Sequence, residues 1–110
     1  MIRTISMKQL EAYFDSGREF TLLDVREPEQ FREGHLEGAV NIPLEELEQR
    51  AHELSARAPV VIYCEHGSRS LLAAQILDSL GIAAVSAVGG LVYYRGRHFV
   101  AGDGRRSSDR

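Results

Sequence analysis

Short apolar, often β-branched runs alternate with segments of helical spacing along this chain, and that alternation constrains its fold more than any other feature. Val60-Val61-Ile62-Tyr63 is the clearest run and reads as a central strand, since branched and aromatic side chains suit a covered sheet. Phe20-Thr21-Leu22-Leu23-Asp24-Val25 is a second, ending in charge as a buried strand does where it reaches a functional edge. Glu37 to Pro43 holds a brief third strand stopped by proline, and Ile82-Ala83-Ala84-Val85 a fourth. Between them lie helical signals. Ser6 with Gln9 forms a capping box ahead of Met7, Leu10 and Phe14, and Gly17 closes that helix. Pro28 suits the first turn of a short helix ending at Gly34. Leu44, Leu47, Ala51 and Leu54 mark one amphipathic helix; Leu72, Ala73, Ile76, Leu77 and Leu80 mark another, ended by Gly81. Val88-Gly89-Gly90 reads as a turn before a helical turn at Leu91–Tyr94. The pattern predicts an α/β fold, a mainly parallel sheet covered on both faces by helices.

Length and composition agree with one such domain. At 110 residues and 44% hydrophobic content there is material for one core and not for two. Acids and bases interleave to a net charge of −3, so no broad basic surface marks a nucleic-acid partner. No run approaches the ~18 apolar residues of a membrane span or resembles a signal peptide, which leads to the expectation of a cytoplasmic protein with no membrane contact. Residues 101–110 lack apolar side chains apart from Ala101 and read as a disordered tail.

Cys64 is the single cysteine. It cannot form an internal disulfide, a Cys-x-x-Cys redox pair or a cysteine-based zinc site, and no pair of histidines has metal-ligand spacing, so neither metal nor cofactor is expected. In most proteins a lone cysteine beside an apolar strand is a small, buried, inert residue. The placement of Cys64 argues otherwise. Cys64-Glu65-His66-Gly67-Ser68-Arg69-Ser70 lies between the most strand-like run and a helix starting near Ser70, and parallel sheets form their sites at the carboxyl ends of strands. The first amides of that helix point back into the loop with partial positive charge, favouring a thiolate over a thiol. Gly67 allows the loop to curl so that several N–H groups face the sulfur.

The same seven residues resemble the Cys-x-x-Gly-x-Arg-Ser active-site loop of the rhodanese family. Leu22-Leu23-Asp24-Val25-Arg26-Glu27 with Phe31 is similar to the family's Leu-Asp-Val-Arg motif, and Gly34-His35-Leu36-Glu37-Gly38-Ala39-Val40-Asn41-Ile42-Pro43 to its Gly-His-Ile-x-Gly-Ala-x-Asn-Ile-Pro motif. Gly89-Gly90 with Tyr94 is similar to its Gly-Gly-x-x-x-Trp, with tyrosine for tryptophan. The resemblance spans residues 4 to 100. It implies a rhodanese-like, about five-stranded sheet and a ping-pong transfer in which Cys64 takes a sulfane sulfur from thiosulfate or a persulfide. Cyanide or a thiol then accepts it. A protein persulfide is a further possible donor or acceptor.

Within that frame Cys64 is the nucleophile and persulfide carrier, and the amides from Glu65 to Ser70 form its anion-stabilising nest. Arg69 suits either an anionic donor or a carboxylate that ties the loop. Ser68 or Ser70 offers a hydroxyl to the sulfur, although Ser70 reads first as a helix cap. His66 is a secondary candidate for a weak positive field. Asp24, Arg26 and His35 are expected to brace the sheet edge. Glu65 is unusual, because many relatives that favour thiosulfate carry a basic residue in this loop. A carboxylate there should repel a dianionic donor and work against the thiolate, which points toward weak thiosulfate use. Two other functions compete. A non-enzymatic rhodanese-like module would use Cys64 only as a redox switch or binding element. A cysteine phosphatase would need Cys-x5-Arg, but four residues separate Cys64 from Arg69, a cradle sized for sulfur.

Overall fold

The computed structural model describes residues 2–54 and 59–102. Five strands form one all-parallel sheet: β1 (Arg3–Ser6), β2 (Thr21–Asp24), β4 (Val40–Asn41), β5 (Val60–Tyr63) and β6 (Ala84–Val88). Their spatial order is β1-β6-β5-β2-β4, so the two most apolar runs lie at the centre. In register Asp24 stands opposite Tyr63 and Leu23 opposite Ile62, which places the ends of β2 and β5 side by side, just before Cys64.

Side chains of the central strands alternate between two cores. Leu22, Val61 and Tyr63 face one with Ile5, Val85 and Ala87. It is closed by Met7, Leu10 and Tyr13 of α1 (Met7–Asp15), and by Leu91. Leu23, Val25, Val60, Ile62 and Cys64 face the other, covered by Leu47 of α3 (Leu47–Arg50) and by Ala73, Ala74 and Leu77 of α4 (Ser68–Ser79). The expected layering, with helices on both faces, is therefore present. The capping box is present too: the Gln9 amide donates to Ser6 Oγ at 3.0 Å, and the Ser6 amide to Gln9 Oε1 at 2.7 Å.

Several local expectations are corrected. β1 was not foreseen; it is four residues long, half exposed and paired on one side only, so its pattern carries little signal. The segment from Leu44 is not one helix. It consists of a 3₁₀ turn at Leu44–Glu46, the single α-turn α3 and a second 3₁₀ turn at Ala51–Glu53. β6 begins at Ala84 rather than Ile82, because the Ile82 amide still bonds Leu77 O at the end of α4. Leu72 and Leu80, assigned above to the apolar stripe of α4, are 51% and 46% exposed. The buried set is Ser70, Ala73, Ala74 and Leu77, spaced i, i+3, i+4, i+7 from a serine that the loop turns inward. Small residues on that stripe let the helix lie close on the sheet.

α2 (Pro28–Glu33) starts at its proline as expected. Beyond it, β3 (Gly34–Leu36) and β7 (Phe99–Ala101) form a separate antiparallel pair. A contact between segments so far apart along the chain has no local signature. β7 carries ordered pairing to Ala101, opposite Gly34; the rest of the expected tail, 103–110, lies outside the described residues. Among the described residues, no helix is long and apolar enough to cross a membrane.

Candidate active site

Cys64 leaves β5 on the side of the sheet that α4 covers, and the chain turns back within three residues to begin that helix. Gly67 makes the turn at φ 102°, a left-handed torsion that costs glycine little and other residues more. The turn leaves no room for a side chain, since a Cβ at Gly67 would stand 2.8 Å from the Gly89 nitrogen. At Gly90 it would stand 2.3 Å from Glu65 O. Glycines on both segments thus allow the loop and the 3₁₀ turn at Leu91–Tyr93 to touch. Two hydrogen bonds hold them together: Leu91 N–H to Cys64 O at 2.8 Å and Val92 N–H to Glu65 O at 3.2 Å.

Inside this frame Cys64 Sγ accepts from the Gly67 amide at 2.9 Å and the Ser70 amide at 3.3 Å. Both donors belong to the opening of α4, whose first N–H groups have no partner within the helix. Cys64 is only 1% exposed, as an inert core cysteine would be. The two amides aimed at its sulfur distinguish it, because they favour negative charge on that atom.

Among the hydrogen bonds of the described residues, none runs from a serine hydroxyl to Sγ. Ser70 is no cap but the third residue of α4; its hydroxyl lies 2.9 Å from Gly67 O and 3.0 Å from Ser86 Oγ, which leaves its amide to serve the sulfur. Ser68 is exposed, as is His66. Arg69 Nη2 donates to Glu45 Oε1 at 2.7 Å and to Glu27 Oε1 at 3.2 Å, which ties the loop to these carboxylates. The Glu45 carboxyl is held below its usual range, by its own backbone amide first and by Arg69 next.

Asp24 and Arg26 form the brace of the sheet edge. The Arg26 guanidinium grips the fully buried Asp24 through Nε, at 3.1 and 3.0 Å to the two oxygens, and through Nη2 at 2.8 Å. Nη2 also donates to Gly34 O at 2.6 Å, and Nη1 to Glu65 Oε1 at 3.1 Å. Burial works against the Arg26 charge, but Asp24 outweighs it and keeps the guanidinium firmly protonated. Glu65 is therefore not a free charge beside the sulfur: it is the outer member of an Asp24–Arg26–Glu65 chain. His35 is spent on its own surroundings. Its ring stacks on Phe31 at 3.7 Å, and its Nδ1 lies 2.9 Å from Phe31 O.

Four further residues contribute at this edge beyond those the sequence pattern singles out. Asn41 donates to both Asp24 O and Arg26 O at 3.0 Å, and Ser86 anchors Ser70. Glu27 and Glu45 hold Arg69. Asn41 and Glu27 lie inside the quoted motifs, which was a usable hint; Ser86 and Glu45 carry no local signal.

The rhodanese-like domain profile matches residues 6–96. The chain belongs to the rhodanese-like family. Thiosulfate sulfurtransferase PspE of Escherichia coli is 39% identical over 74 residues, 63% of this rhodanese-like chain and 68% of that protein. The uncharacterized protein YqhL of Bacillus subtilis is 39% identical over 85 residues, 77% of this chain but only 65% of the relative's own length. The crystal structure of a rhodanese-like domain protein from Staphylococcus aureus superposes with a TM-score of 0.83 over 91% of this chain and 98% of that one. At 22% identity that likeness is one of fold. The rhodanese-like domain thus sits in a family that includes thiosulfate sulfurtransferases.

Proposed function

We propose that this rhodanese-like protein is a sulfurtransferase that carries sulfur on Cys64. The observation that supports the reading most is the pair of amides, Gly67 and Ser70, converging on Sγ. In the first half-reaction the Cys64 thiolate attacks the outer sulfur of thiosulfate or of a persulfide R–S–SH. The Cys64 S–S bond forms, the donor S–S bond breaks, and sulfite or the thiolate RS⁻ leaves with the bonding electron pair. In the second, cyanide or a thiolate attacks the outer sulfur of the Cys64 persulfide. The new C–S or S–S bond forms, and Cys64 departs as the thiolate with which the cycle began. The amides offset the negative charge that Cys64 Sγ carries as the attacking and as the departing thiolate. The reducing cytoplasm expected from the sequence would keep such a lone thiol available.

Arg69 argues against phosphoryl chemistry. A phosphatase needs its loop arginine on the phosphoryl oxygens, whereas this guanidinium is engaged by Glu27 and Glu45. The partner-binding or redox-switch reading has no observation in its favour beyond those the enzyme reading already uses.

The test is to incubate the protein with thiosulfate, or with a persulfide donor, and weigh it intact. Wild type gains one sulfur atom and loses it again when cyanide is added, with thiocyanate appearing in step; Cys64→Ser does neither. A wild type that takes up no sulfur from either donor class refutes the proposal.

A further inference from the structure

Around Cys64, two guanidinium groups of the described residues are each shared between two carboxylates. Arg26 is shared between Asp24 and Glu65, and Arg69 between Glu27 and Glu45. Two cations against four carboxylates leave this collar with a net charge of minus two. The six side chains share one edge of the sheet. Asp24 ends β2 opposite Tyr63, which precedes Cys64, and Glu65 follows Cys64. Arg69 adjoins Ser70, whose amide bonds the sulfur. Glu27 opens the helix after β2. Glu45 lies in the 3₁₀ turn held against the end of β2 by the Leu44 amide on Val25 O. Glu27 and Glu45 are 56% and 60% exposed, so they present their charge to anything that approaches. Past the turn at Leu91–Tyr93, Arg95, whose Nη1 donates to Val92 O at 3.1 Å, and Lys8 line a cavity of about 350 Å³ with Glu11 and Tyr93, so there two cations face one carboxylate.

The positive field at the sulfur itself comes from two neutral amides, which act only at contact range. The collar acts over roughly a Debye length, ~8 Å at physiological salt. A dianion such as thiosulfate meets repulsion at the collar before it meets the amides; a thiol with its own positive charge meets attraction there. Resting on the sulfurtransferase reading above, we infer that this protein selects its sulfur substrates by charge, and that its acceptor is a cationic thiol: an ammonium-bearing small thiol or a protein cysteine flanked by lysines.

The test begins with protein loaded on Cys64 from the persulfide of 2-mercaptoethanol, which carries at most one negative charge where thiosulfate carries two, and confirmed by intact mass. Failure to load from this donor and from thiosulfate alike refutes the sulfurtransferase reading itself and is thereby distinct from failure of the charge argument. Loss of the loaded sulfur is then timed with cysteamine, 2-mercaptoethanol and 3-mercaptopropionate, which differ mainly in charge, with rates corrected for thiolate fraction. The expected order is cationic, neutral, anionic. The ratio between the extremes should be about three- to tenfold near 0.15 M salt, shrinking toward one at 1 M. In Glu27→Gln/Glu45→Gln, which removes two negative charges and frees Arg69, the ratio should collapse to about one, and the apparent KM for thiosulfate should fall. A lysine-flanked cysteine peptide that outpaces cysteamine identifies the natural source as a protein; the reverse identifies a small thiol. An anionic acceptor as fast as the cationic one in wild type, or a ratio unmoved by the double substitution, overturns the inference.

Discussion

Replacing Arg26 with methionine would take the cation away from a carboxylate that has no exposed surface. Asp24 accepts four hydrogen bonds from this one residue: three from the guanidinium and one, at 2.8 Å, from the Arg26 amide. Only the amide bond survives the substitution. Breaking a buried ion pair by removing one partner costs about 3–5 kcal/mol, mostly because the remaining charge is left in a poorly solvating interior. Gly34 O also loses its donor at 2.6 Å, which belongs to the same order of cost. The link to Glu65, a third exposed, adds little because water screens it. For a domain whose total stability is about 5–15 kcal/mol, a loss of ~4 kcal/mol lowers the melting temperature by roughly 15–30 °C. Replacing both partners, as Asp24→Asn/Arg26→Met, removes the orphaned charge and should be distinctly milder than the two single costs added together. Urea unfolding followed by circular dichroism, on the two single variants and the double, measures this coupling. Additive costs, or an Arg26→Met loss below ~1 kcal/mol, would refute the view that a buried pair holds this edge together.

Gly67→Ala forces a side chain into φ 102° and against the Gly89 nitrogen, so the loop must shift and carry its amide away from Sγ. Persulfide formation should slow more than tenfold while the far-UV spectrum stays native; an unimpaired rate would show that the amide is dispensable. Tyr63→Phe leaves the buried Leu36 amide without its 3.0 Å acceptor, at a cost of about 1–3 kcal/mol. The substitution should also change the response to alkali. Burial, and then the charge of Asp24, hold the Tyr63 phenol well above its usual range, so the folded state keeps a proton that the unfolded chain releases near pH 10. That contribution is complete below pH 10 and shrinks as the pH rises beyond it, by up to ~1.4 kcal/mol per unit. In urea titrations between pH 8.5 and 11.5 the wild type should lose stability more steeply than Tyr63→Phe. Parallel slopes would count against a buried, protonated phenol.

Much of this architecture could be read along the chain because it is encoded locally. The runs that became β2 and β5 are apolar on both faces since both faces are covered, and the Ser6–Gln9 box and Pro28 announce helix starts through hydrogen bonds and torsions a few residues long. The loop from Cys64 to Ser70 is equally local: a strand, a glycine turn and a helix determine that its amides meet the sulfur. What the sequence could not reveal depends on partners distant in the chain. β1 and the β3–β7 pair exist only because a neighbour supplies their hydrogen bonds. The buried face of α4 follows Ser70, whose inward direction is set by Ser86, sixteen residues on. Charge shows the difference most plainly. Sequence alone shows a glutamate beside the cysteine, read as a charge against a dianionic donor, and an arginine five residues on whose partner it leaves open. Folding gives Glu65 to Arg26, and Arg69 to Glu27 and Glu45. The field at the sulfur depends on distances through space, and only the tertiary structure sets those.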